Sequence, residues 1–103
     1  MRLFQNLFSG GQTADLKNII EQGAYLVDVR TPVEFAEGHV KRSVNIPLDR
    51  IPGELDKFKN KRSIVVFCRS GGRSGQAKKI LEQNGFTNVV NGGTWEHVSQ
   101  FVN

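Results

Sequence analysis

Apolar and polar positions along this chain switch between two periods. "TADLKNIIEQG" spaces Leu16, Ile19 and Ile20 as one face of a helix, with Thr13 as N-cap and Gly23 as the stop. "AYLVDV" is a short apolar run suited to a buried strand. In "TPVEFAEG", Thr31 is set to cap a short helix, Pro32 occupies its first position, Glu34 completes a T-x-x-E capping box and Gly38 closes it. "SVNIP" reads as a second strand stopped by Pro47, and "LDRIPGELDKF" as a weak helix broken at Pro52 and Gly53. "SIVVF", β-branched and aromatic, predicts a third strand. "RSGQAKKILEQNG" predicts a helix with Ala77, Ile80 and Leu81 on one face and Gly85 as its terminator. "TNVVN" is a last short strand, and "TWEHVSQFV" a last helix turning Trp95, Val98 and Phe101 or Val102 inward. Strands alternating with helices imply βαβ units: an α/β fold with a parallel sheet and helices on both faces.

Composition narrows the class. At 103 residues the chain reads as a single domain, 1–103, large enough for a core without disulfide or metal staples. One cysteine forms no internal disulfide, which removes any argument for an oxidising compartment. The opening "MRLFQNLFSGGQ" is interrupted by Gln5 and Asn6 and lacks a signal-peptide core. No segment approaches the roughly 20 apolar residues of a membrane span. A cytoplasmic protein without membrane contact is expected. The net charge of +4 is moderate, and its densest run, "KFKNKR" at 57–62, reads as a solvated connector. No basic face interleaved with aromatics points to nucleic acid. The excess positive charge would steer small anions toward the surface.

Ligands in parallel α/β sheets bind beyond the carboxyl ends of the strands. Two sets of chemically capable residues fall at such ends: Asp28 with Arg30, and Cys68 with the loop "CRSGGRS". A lone cysteine is commonly a small core hydrophobe. Here it stands where the strand stops. Gly71 and Gly72 free the backbone to turn successive N–H groups inward as an anion-binding nest. A helix starting near Arg73 or Ser74 adds its positive end, and Arg69 and Arg73 add two cations. Each of these effects favours the thiolate over a thiol whose free pKa is about 8.5. Ser70 and Ser74 can donate to a bound anion, and Ser74 can also cap the helix. The loop thus reads as an anion cradle against an activated sulfur, with no metal or organic cofactor required.

Three stretches carry a family likeness. "CRSGGRS" after an apolar strand, "LVDVRTPVEFAEGHVKRSVNIPL" before it and "NGFTNVVNGG" after it resemble, in order and approximate spacing, the motifs of the rhodanese (sulfurtransferase) family. They span residues 26–93. The resemblance implies a rhodanese-like three-layer fold, with a central parallel sheet of about five strands flanked by helices. It also implies that Cys68 attacks the outer sulfur of a small anionic sulfur donor such as thiosulfate, and that a thiol or cyanide-like acceptor takes the sulfur from the resulting persulfide. A partner protein in a sulfur relay is a further possible acceptor. The cationic loop favours a dianionic donor over a carbonyl-containing one such as mercaptopyruvate.

Two rival readings use the same residues. Cysteine-dependent phosphatases and arsenate reductases carry C-x5-R, whose arginine clamps the phosphate. Here Arg73 gives C-x4-R, and the phosphatase position is Ser74. The shorter loop suits a sulfur better than a phosphoryl group. The other rival is a sulfur carrier or redox-sensing module with little turnover. Arg30 fits either a substrate contact or a structural pair with Asp28, which reads as structural. His39 is expected in a hydrogen-bonding structural role, because an ionised thiolate needs no base. His97 is expected in packing, and Glu34 as a cap. Trp95 follows Gly93 after Thr94 alone, closer than the family's spacing, so no family role is carried to it.

Overall fold

In the computed structural model, which describes residues 12–103, the chain alternates strands and helices. The elements are α1 (Gln12–Glu21), β1 (Tyr25–Asp28), α2 (Pro32–Glu37), β2 (Val44–Asn45), two 3-10 turns (Leu48–Gly53 and Leu55–Phe58), β3 (Ile64–Cys68), α3 (Gly72–Gln83), β4 (Val89–Thr94) and α4 (Trp95–Ser99). The opening segment read for a signal peptide lies outside the described residues. Among those residues the sheet has four strands in the order β2-β1-β3-β4, every pair parallel. The strand count is thus four here against about five expected, in the predicted parallel arrangement.

Side-chain alternation along β3 divides the interior in two. Ile64, Val66 and Cys68 pack with Ala77 and Leu81 of α3, while Val65 and Phe67 pack with Leu16 and Ile20 of α1 and Val98 of α4. All five residues of β3 are buried, as expected for a central parallel strand covered on both faces. No helix among the described residues is long and apolar enough to cross a membrane.

Local signals account for most element boundaries. Thr31 Oγ1 accepts the Glu34 N–H and the Glu34 carboxylate accepts the Thr31 N–H, completing the capping box, with Pro32 at the first position. Thr13 lies inside α1, which is already helical at Gln12, so it is not the N-cap. "SVNIP" yields only the two residues of β2; Ile46 N–H still reaches the Asp28 carbonyl, and Pro47 then has no proton to donate. The weak helix after it becomes 3-10 turns, with Pro52 inside the first and Phe58 buried by the second. α3 begins at Gly72, ahead of the expected Arg73 or Ser74. Gly71 takes the left-handed conformation (φ 95°) as its N-cap, and its carbonyl accepts the Gly75 N–H. Gly85 follows α3 as predicted.

β4 carries a bulge. Asn91 pairs with Val66, but Phe67 pairs with Gly93, leaving Gly92 as the extra residue. A Cβ on Gly92 would lie 2.7 Å from Val98 Cγ2 and 2.9 Å from Val65 Cγ1, between α4 and β3. Gly92→Ala is therefore expected to destabilise the fold by about 1 to 3 kcal/mol through overpacking. Thermal unfolding followed by circular dichroism checks this, and an unchanged midpoint would contradict the packing described.

Candidate active site

Parallel pairing of β3 with β1 and β4 brings three carboxyl ends to one edge of the sheet. Asp28 pairs with Phe67, and Cys68 pairs with Thr94. The strand order runs outward from β1 in one direction and from β3 in the other, so the crevice at the β1/β3 boundary is the position where such sheets take ligands.

Cys68 is the last residue of β3. It is fully buried within the α3-side core, so the loop does not leave it stranded at the surface. Its Sγ is met by backbone: Gly71 N–H donates at 3.0 Å and Ser74 N–H at 3.4 Å. The neutral thiol in turn donates to Ser74 Oγ at 3.5 Å. Burial pushes the thiol pKa up. The Ser74 hydroxyl and the N–H groups of Ser74, Ser70 and Gly71 outweigh it, holding Cys68 below the ordinary cysteine value. Left-handed Gly71 and the first turn of α3 thus direct the N–H groups of Gly71 and Ser74 at Sγ, while Gly72 is exposed.

Of the two loop arginines, Arg73 is placed differently from the sequence expectation. Arg73 turns away to form a two-pronged pair with Glu34, Nη1 to Oε1 at 2.7 Å and Nη2 to Oε2 at 3.0 Å. Glu34 caps α2 through the same carboxylate. The Arg73 guanidinium and the Thr31 N–H hold its pKa far below the usual carboxylate range. Arg73 is thus a strut between the N-termini of α2 and α3, and the activation of Cys68 comes from short-range dipoles. Arg69 is exposed and lines a cavity together with Arg30 and Trp95. Ser70 is also exposed, while Ser74 is fully buried. Ser74 lies within the first turn of α3, its hydroxyl reaching back to the Gly71 carbonyl at 3.1 Å, so it is not the cap.

Asp28 and Arg30 form a buried two-pronged pair. Arg30 Nε donates to Oδ1 at 2.9 Å and Nη2 to Oδ2 at 2.7 Å, with the Arg30 N–H also on Oδ1. Nη2 continues to the Gly38 carbonyl at 2.7 Å, tying the end of α2 to the end of β1. Trp95 covers the guanidinium face at 4.7 Å from its ring centroid. Arg30 therefore shapes the cavity wall with its charge already matched by Asp28. The cavity, about 250 Å³, is lined by Arg30, Arg69, Gly38, Trp95 and the carboxylates of Glu34, Glu37 and Glu96; Cys68 itself does not line it.

His39 is exposed, stacked on Phe35 at 3.9 Å with Nδ1 2.8 Å from the Phe35 carbonyl oxygen, which is the structural role expected. His97 packs edge-on against Phe101. Among the described residues no group of His, Cys, Asp and Glu side chains gathers as metal ligands would.

Asn91 escaped sequence reasoning altogether, and Trp95, read as inward-facing, was given no place at the site. Asn91, at the β4 bulge, accepts the Ser74 hydroxyl proton at 2.7 Å and the Gly93 N–H at 2.9 Å. Its only sequence signal is a polar residue before two glycines in an otherwise apolar strand. Trp95 was signalled by its place just past a strand's carboxyl end.

Residues 12–95 match the family model of the rhodanese-like domain. The chain is 41% identical over 66 residues to a protein of Allochromatium vinosum named sulfurtransferase, across 64% of this chain and 62% of that one. It is 39% identical over 69 residues to the thiosulfate sulfurtransferase PspE of Escherichia coli, across 65% of this chain and 66% of that one. Among solved structures, a rhodanese-like domain protein from Staphylococcus aureus superposes with a TM-score of 0.71 at 34% identity, covering 84% of this chain and 86% of that one. The family model covers most of the chain and the fold agrees with it: this chain belongs to the rhodanese-like domain family.

Proposed function

We propose that this protein is a sulfurtransferase that moves a sulfane sulfur from thiosulfate or a similar anionic donor to a nucleophilic acceptor through a persulfide on Cys68. The observation that carries this reading is the pair of N–H donors from Gly71 and Ser74 directed at Sγ. They favour the thiolate without placing a base beside it. In the first half-reaction the thiolate attacks the outer sulfur of thiosulfate. A new S–S bond forms to Cys68, and the donor's own S–S bond breaks with its electron pair leaving on sulfite. In the second, an acceptor thiolate or cyanide attacks the terminal sulfur of the persulfide, and the electron pair of that S–S bond returns to Cys68. The name borne by the Escherichia coli relative supports thiosulfate as the donor class. Among the described residues lining the cavity, Arg69 is the cation available to a donor anion, because Arg30 is engaged by Asp28; Arg73 of the loop is engaged by Glu34.

A phosphatase reading has less support. A phosphate clamp needs a free arginine fork, and the fork of Arg73 is filled by a carboxylate. A second reading, a carrier loaded by a partner protein, is favoured by one observation: Sγ is fully covered and lies outside the cavity lining. Fast sulfur loading with negligible turnover on free acceptors would select it.

Thiosulfate treatment is expected to add one sulfur to the wild-type mass and none to Cys68→Ala. Turnover with cyanide should fall by more than about a thousandfold in that variant; retained turnover would overturn the proposal. Loading should follow thiolate formation, rising through a midpoint below that of an ordinary cysteine. Ser74→Ala removes a donor to the thiolate and should move that midpoint up by about one pH unit, read from the rate–pH profile. Arg69→Ala should raise KM for thiosulfate by roughly threefold to tenfold with little change in kcat, and less so at high salt.

A further inference from the structure

Ser74 has one hydroxyl proton and three neighbours placed to compete for it. Its Oγ lies 2.7 Å from Asn91 Oδ1, 3.1 Å from the Gly71 carbonyl oxygen and 3.5 Å from Cys68 Sγ. With the thiol neutral, S–H donates to Ser74 Oγ while the Ser74 hydroxyl donates to Asn91, and both protons are used. With the sulfur ionised, the same hydroxyl must turn to the thiolate and give up Asn91. The amide cannot rotate to compensate. Gly93 N–H donates to Oδ1 at 2.9 Å, and Nδ2 faces the Gly71 carbonyl at 3.5 Å, so the oxygen is held toward Ser74.

We propose that Asn91 is a positioning residue that draws the Ser74 hydroxyl proton away from Cys68, and thereby sets the pH at which the sulfur becomes nucleophilic. This rests on the sulfur-transfer reading of Cys68. Such restraint suits a sulfur that must attack in one half-reaction and leave in the other. A thiolate made too stable leaves readily but attacks weakly, and the best attacking thiol has a pKa near the ambient pH. The charged groups near the site are Asp28 and Arg30 after β1, Glu34 and Glu37 on α2, Arg69 and Arg73 around the loop, and Glu96 on α4. None of them hydrogen-bonds to Asn91, so substitutions there leave those charges in place.

The test is the Cys68 titration midpoint, read from thiolate ultraviolet absorbance in the full chain. Asn91→Val removes the competing acceptor and should lower the midpoint by about half to one pH unit; Asn91→Asp supplies an anionic acceptor and should raise it by at least as much. In a Ser74→Ala background, Asn91→Val should have no effect. An unmoved or raised midpoint in Asn91→Val would overturn the proposal, as would a shift that survives Ser74→Ala. Should Asn91→Val not fold, Asn91→Asp decides alone, and an unchanged or lowered midpoint sinks the idea. The titration needs no turnover. Absence of thiosulfate loading alongside the expected shifts would therefore refute the sulfur-transfer reading while leaving the role of Asn91 standing.

Discussion

Everything at the site depends on β3 being paired in parallel on both sides. Parallel pairing sends every strand's carboxyl end to the same edge, so Asp28, Cys68 and Thr94 arrive together although long stretches of chain separate them. Burial on both faces then fixes the register, because a slip of one residue would exchange Cys68 and Phe67 between the two halves of the core. The sulfur stands where it does because the strand beneath it cannot shift. The loop above it is equally constrained: a left-handed residue at Gly71 is what turns the N–H groups toward Sγ.

Charge is distributed unlike the simple picture of a basic cradle. Arg30 and Arg73 each sit in a two-pronged carboxylate pair, one buried and one partly exposed. Their work is architectural: Arg30 ties β1 to the end of α2 and supports Trp95, and Arg73 braces α2 against α3. The Cys68 thiol is held down by the Ser74 hydroxyl and by N–H dipoles at hydrogen-bond range. Such short, buried interactions are screened by salt far less than exposed charges. The reactivity of the thiol is thereby separated from the electrostatics of the cavity mouth, where Arg69, Glu37 and Glu96 meet solvent.

Much of this was legible in the sequence where the determinants are local. The capping box of α2, the helix α3 with its inward Ala77 and Leu81, the apolar β3 and the glycine-bearing loop all announce themselves within a few residues. What the sequence hid is long-range. Glu34 read as a cap, which it is, but nothing nearby says that its carboxylate also holds Arg73, 39 positions on. Formal charge counting made Arg73 a wall of the cradle because pairing partners cannot be counted from the chain. Asn91 gained its role only through the bulge at Gly92, which sets the β4 register against β3. Cys68 itself is both things that were weighed, a core residue by burial and a polarised thiol by its hydrogen bonds.

Trp95 is the single tryptophan of the chain, and it forms part of the cavity wall with its ring over the Arg30 guanidinium. The protein therefore carries its own fluorophore at the threshold of the site, with no second indole to blur the signal. Anything that enters the cavity, or disturbs the Asp28–Arg30 pair behind it, alters the polarity around one known chromophore. Occupancy of the cavity becomes an optical observable in the unlabelled molecule.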